Sequence, residues 1–122
     1  MKKIIAFLTA VLIPTLSFAL DGKALFNKYS CSSCHAPDMR LVGPSLHEIS
    51  KKYGTSEKAI RKVAQLIIQP NPANWPGFAY MPPFDIPMEE AIAIAKYVLI
   101  DSLKEKTKKS DETFEQFEAD YH

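Results

Sequence analysis

The run Cys31-Ser32-Ser33-Cys34-His35 gathers two thiols and an imidazole within five residues. Three chemistries use such groups. A dithiol pair can cycle through a disulfide, thiolates and imidazoles can bind zinc, and two thiols can form thioethers while the imidazole takes an iron. Dithiol redox motifs of this spacing follow a strand in an α/β pattern, and no such pattern surrounds Cys31. A zinc site needs a second pair of ligands. Only His47 and His122 remain, and they form no recognisable pair. The C-x-x-C-H order fits the third chemistry, covalent attachment of a c-type haem. Thiols at this spacing reach vinyl groups on neighbouring pyrroles, and a histidine directly after the second thiol is held beneath the iron. The chain has only these two cysteines. A disulfide between them would close a tiny loop and staple nothing distant, so their role reads as chemical.

The ends of the chain say where such chemistry takes place. Lys2 and Lys3 precede an apolar run, Ile4 to Ile13, with Thr9 its one polar member. Pro14 breaks the run, and small residues at Ser17 and Ala19 complete a secretory signal, with cleavage expected after Ala19. The run is shorter than the roughly 20 residues a spanning helix needs, so the mature chain is expected not to span a membrane. Cleavage leaves 103 residues, one small domain that gains from a cofactor or crosslink. It also removes Lys2 and Lys3, leaving 13 basic against 14 acidic side chains of the original 15 and 14. Such a balance does not point to nucleic acid.

Helices must position the motif. Asp21 is placed to cap a first helix to about Ser30, with Leu25, Phe26 and Tyr29 on its apolar face. Ser45 to Lys52 reads as a short helix stopped by Gly54. Thr55 or Ser56 caps a longer one to about Gln69, burying Ile60, Val63, Ala64 and Ile67. Five prolines (70, 72, 76, 82 and 83) make residues 70–85 an irregular, rigid loop. Such a long ordered loop suggests function. A last helix opens near Pro87, buries Ala91, Ile94, Ala95, Val98 and Leu99, and ends among lysines 104, 106, 108 and 109. Residues 110–122 read as a frayed acidic tail, although Phe114, Phe117 and Tyr121 would align if helical. The division is signal peptide 1–19, domain 20–104 and charged extension 105–122. The class is all-α, three to five helices around one covalently bound haem.

From Asp21 to about Leu103 the chain resembles the small bacterial class I cytochromes c. The resemblance rests on Phe26, Cys31-Ser32-Ser33-Cys34-His35, Gly43-Pro44, Met81-Pro82-Pro83 and Tyr97, which occur in that family's order. It implies that the Pro44 carbonyl accepts from His35, and that Met81 is the second iron ligand. It also implies that Trp75 flanks a haem propionate, while the residues alone allow Trp75 to be a wall residue. Phe26 and Tyr97 should meet where the terminal helices cross. Among the methionines, Met39 lies close to His35 in sequence and Met88 opens the last helix. Met81 sits in the rigid loop, where the prolines limit its motion. It fits a thioether ligand, with Met88 in reserve and core filling as the alternative.

Histidine and methionine together saturate the iron, which suits a periplasmic carrier of single electrons between transient donor and acceptor proteins rather than an enzyme. Two other functions stay open. One is a cytochrome subunit of a larger periplasmic oxidoreductase, such as a sulfur-oxidising complex, docked by its tail; the other is a haem enzyme or gas sensor with a labile Met81. The protein is accordingly expected as a monomer or as a subunit of a complex.

Overall fold

A computed structural model describes residues 3–12 and 19–120. Residues 3–12 are outside any helix, and Ile4, Phe7 and Leu8 are exposed. Lys2, Pro14, Ser17, Tyr121 and His122, all used above, lie outside the described residues.

Helix α1, Gly22–Lys28, starts because the Asp21 carboxylate accepts the Ala24 N–H at 3.1 Å. Tyr29 caps its end, and Ser30 then takes the left-handed conformation (φ 59°, ψ 27°) and turns the chain into a 3-10 turn over Cys31–Ser33. Helix α2, Leu46–Tyr53, opens with a reciprocal cap between Ser45 and Glu48 and closes at Gly54. Helix α3, Glu57–Ile68, is capped by Ser56 rather than Thr55. Its buried stripe is Ala59, Val63, Ala64 and Ile67, with Ile60 only half-buried. The row 59, 63, 67 is spaced by four, so the small Ala59 takes the inner position and lets α3 approach its neighbour closely.

Helix α4, Met88–Lys96, packs against α3 and crosses α1. At the crossing, the Phe26 and Tyr97 rings meet edge to face, centroids 5.3 Å apart. All five residues expected on its inner stripe are buried, and Leu46, Ile94 and Leu99 are the largest side chains sealed from water. The helix then widens into one π turn, Tyr97–Asp101. Two hydroxyls take up carbonyls there. Ser50 Oγ donates to Leu99 O at 2.7 Å and Ser102 Oγ to Val98 O at 2.9 Å. The π turn is thereby fastened to α2.

Helix α5, Ser102–Asp120, carries on directly. The expected end among the lysines and the frayed tail are not what the described residues adopt. The reason is chemical: no Gly or Pro follows Pro87, and the segment is rich in Lys and Glu, which propagate helix. Lys106 pairs with Asp38 at 3.0 Å and Lys23 with Glu105 at 2.9 Å, anchoring the first turns. No strand forms among the described residues, only an isolated bridge between His35 and Arg40.

The cap of α2 gives a pH test. The Glu48 carboxylate accepts from Arg40 Nε (2.7 Å), the Ser45 N–H (3.0 Å) and the Ser45 hydroxyl (3.1 Å). Arg40 first, then Ser45, pull its pKa from 4.5 to about 2. A carboxylate with a lowered folded pKa contributes stability above its unfolded value and loses it as pH falls through the folded one. The melting temperature of wild type should therefore exceed that of Glu48→Gln near neutrality. The gap should close between pH 4.5 and about 2. Melts of the two proteins across that window check this, and a constant gap would mean the pair contributes nothing.

Candidate functional site

Backbone hydrogen bonds set the motif in place. After the Ser30 turn, the N–H groups of Cys34 and His35 both donate to Cys31 O, at 3.1 and 3.0 Å. Gly43 N–H then donates to Cys34 O (2.9 Å) and Leu46 N–H to Ala36 O (3.0 Å), which fold the 36–45 loop back beside the histidine. His35 Nδ1 consequently lies 2.7 Å from the Pro44 carbonyl oxygen. A carbonyl only accepts, so Nδ1 carries the proton and Nε2 keeps its lone pair for a metal. Gly43 packs flat on the imidazole: a Cβ there would sit 2.5 Å from His35 Cε1.

The Pro-rich loop forms the other side. Asn71 caps a 3-10 turn, Pro72–Asn74, inside the segment expected to be irregular. Phe78 N–H donates to Trp75 O, and Phe84 N–H donates to Ile67 O on α3, both at 3.3 Å. Met81, held between these anchors, is half-buried.

Between motif and loop lies a cleft, open to solvent at its mouth and walled mostly by apolar side chains. Cys31, Cys34, His35, Pro44, Trp75 and Met81 all line it, and no Asp or Glu does. Met39 and Met88 are exposed and do not line it, and His47 faces solvent. The Trp75 ring stands edge to face against Tyr53 and Phe78, at 6.3 and 5.9 Å.

The donor set separates the three chemistries. Cys31 and Cys34 are free thiols. Burial pushes the Cys31 thiol up, whereas dithiol exchange wants a lowered one. Among the described residues no group of three or more His, Cys, Asp and Glu side chains is set to hold a metal ion, so zinc has no cage. A haem fits. It is flat and mostly apolar, the walls are mostly apolar, and an imidazole with its second nitrogen already engaged faces the space. At one corner the Tyr53 hydroxyl is sealed from water without a hydrogen-bond partner among the described residues, as if awaiting an acceptor. Tyr53 carries no signal in the sequence. Packing of a loop about 20 residues further on is what encloses its hydroxyl.

Comparison with known proteins agrees with this geometry. The family model described as Cytochrome c matches residues 19–100. Cytochrome c-551 of Stutzerimonas stutzeri is 36% identical over 102 residues, covering 81% of this chain and 97% of that protein. Cytochrome c-551 of Pseudomonas denitrificans is 33% identical over 78 residues, 64% of this chain and 94% of that protein. Cytochrome c-552 of Hydrogenobacter thermophilus is 27% identical over 99 residues, 81% and 97% of the two chains. An all-α fold around an apolar cavity, a C-x-x-C-H motif on its wall and a family match over residues 19–100 converge: the chain belongs to the cytochrome c family, as a small bacterial class I member that carries electrons on one covalently bound haem c and is not an enzyme.

Proposed function

We propose that residues 1–19 export this chain, that cleavage follows Ala19, and that the mature protein shuttles single electrons in the periplasm. In this reading its haem is joined to Cys31 and Cys34 and its iron is held between His35 and Met81. One cavity supports the ligand set. It is lined by both thiols, the imidazole and, alone among the described methionines, Met81. The family match beginning at residue 19 supports the leader, and no helix among the described residues is long and apolar enough to cross a membrane.

When bound, the haem supplies a one-electron ferrous–ferric couple. The chain's own residues do the rest. His35 is oriented by Pro44 and so presents Nε2 at a fixed angle. Met81, braced by Pro82 and Pro83, would hold the iron from the loop side and leave it no place for a substrate. The apolar lining disfavours the extra charge of the ferric state and raises the potential. Cys31 and Cys34 are only partly buried, and Ser32 and Ser33 are exposed, so the attachment edge reaches the surface where a partner approaches. Encounters of this kind are small and brief. The domain is residues 20–104 and the charged extension 105–122, of which residues 105–120 continue the last helix.

Protein made in a host competent for cytochrome maturation should begin at Leu20 and stay coloured after acid–acetone extraction, because thioethers survive it. A colourless product with both thiols free would overturn the assignment.

A further inference from the structure

Helix α5 begins beyond the stretch matched by the cytochrome c family, and its charges are segregated. Lysines 104, 106, 108 and 109 stand in its first half, beside the single acid Glu105. Residues 110–120 hold acids and no lysine or arginine. This order opposes the helix dipole, which favours cations at the C-terminal end, and the last turn has no basic residue. The chain itself answers the lysine half in part, through Asp38 and Asp101. Among the described residues the acidic half has one cation partner, Lys108 on Glu112 at 3.9 Å.

A stripe runs through both halves. Thr107, Ser110, Phe114 and Phe117 recur at steps of three, four and three residues, the spacing of a helix–helix seam. Phe114 is 66% exposed and Phe117 63%. Thr107 and Ser110 are small, and their hydroxyls already donate to Leu103 O (3.3 Å) and Thr107 O (2.7 Å). Covering them therefore strands no donor. Ser110, Phe114 and Phe117 line a shallow groove whose far wall is Asp38, three residues beyond His35.

A second α5 laid antiparallel answers both patterns. Phe117 and Phe114 of one copy then fall opposite Thr107 and Ser110 of the other, large side chains into small. The acidic half of each helix lies along the lysine half of its mate. A parallel mate would set acid against acid. The antiparallel pair is two-fold symmetric, so one surface meets itself and the contact closes at two copies. We propose that α5 is a dimerisation helix and that its partner is α5 of a second copy of this chain. The contact does not depend on how the iron is held, but the groove at Asp38 sets the loop after each haem motif beside the joint. The 19 residues of α5 make a helix about 28 Å long. Two such helices form an interface at the small end of the specific range, so the dimer should come apart on dilution.

Sedimentation of the mature, haem-loaded protein should show a monomer–dimer equilibrium that moves towards monomer on dilution and in high salt. Phe114→Ser removes two covered rings per dimer and should weaken association on the order of a hundredfold. Charge variants test the direction. Changing Lys104, Lys108 and Lys109 together to Glu makes the lysine half acidic. Changing Glu112, Glu115 and Glu118 together to Lys makes the acidic half basic. Each variant should be monomeric alone, and an equal mixture should form a heterodimer, all with the wild-type haem spectrum as the check on folding. A wild type that stays monomeric at every concentration, or that binds only an unlike subunit through α5, would overturn the proposal. So would a dimer that survives Phe114→Ser and both charge variants, or charge variants that fail to recombine.

Discussion

Met81→Ala should open the iron. Ferrous protein should then bind carbon monoxide stoichiometrically at neutral pH where wild type binds none. The ferric charge-transfer band of a sulfur–iron bond should vanish, and the potential should fall by on the order of 0.1 V within the roughly 0.8 V range that axial ligands set. The reasoning starts from supply. Of the described methionines, Met81 is the one on the cavity wall, whereas Met39 and Met88 are exposed and away from it. The loop around Met81 is tied down by Phe84 N–H on Ile67 O and stiffened by Pro82 and Pro83. It therefore cannot readily swing another side chain into the gap. Replacing Met88 or Met39 by Ala should leave band, potential and gas binding as they were. Persistence of the band in Met81→Ala would assign the ligand elsewhere. Ready binding of carbon monoxide by wild type would favour a gas-binding role over a carrier.

What the sequence made legible was local chemistry. Asp21, Ser45 and Ser56 mark helix starts because each side-chain oxygen reaches the N–H three residues on. The haem motif is legible because thioether attachment requires contiguous residues. Gly43-Pro44 was legible as a pair, but why the first must be glycine became clear only with the imidazole lying against it. Features that depend on distant partners were silent. The π turn answers to Ser50, some 50 residues earlier in the chain. Enclosure of the Tyr53 hydroxyl needs the loop that carries Asn74 and Trp75 folded beside it. Phe114 and Phe117 remain largely exposed on α5, whose first turns are anchored by the pairs of Lys106 with Asp38 and Glu105 with Lys23. A rule that reads charged tails as frayed misses such a case.

Two glycines should fail in different ways, and the contrast separates fold from function. Gly22 opens α1 where it crosses α4, and a Cβ there would lie 2.1 Å from the Ala93 carbonyl oxygen. Ala in place of Gly ordinarily helps a helix by about 0.5–1 kcal/mol. Overpacking typically costs about 1–3 kcal/mol, and here the obstacle is backbone with no rotamer to turn. The second effect wins. Gly22→Val should lower stability by about 3 kcal/mol, a fall in melting temperature of roughly 10–20 °C for a domain of this size. Below its melt the iron spectrum should match wild type, since Gly22, Ala93 and Tyr97 do not line the haem cavity. Gly43→Ala meets the His35 ring instead, at 2.5 Å from Cε1 and 2.9 Å from Nδ1. The ring must turn, and turning loosens the hydrogen bond to Pro44. That variant should change the spectrum and raise the potential even where it is fully folded, because an imidazole with a loosened Nδ1–H bond is a poorer electron donor and stabilises ferric iron less. Thermal melts and redox titrations of both variants decide the matter. A Gly43→Ala protein that loses stability but keeps its wild-type potential would show that the His35–Pro44 contact holds the fold and does not tune the iron.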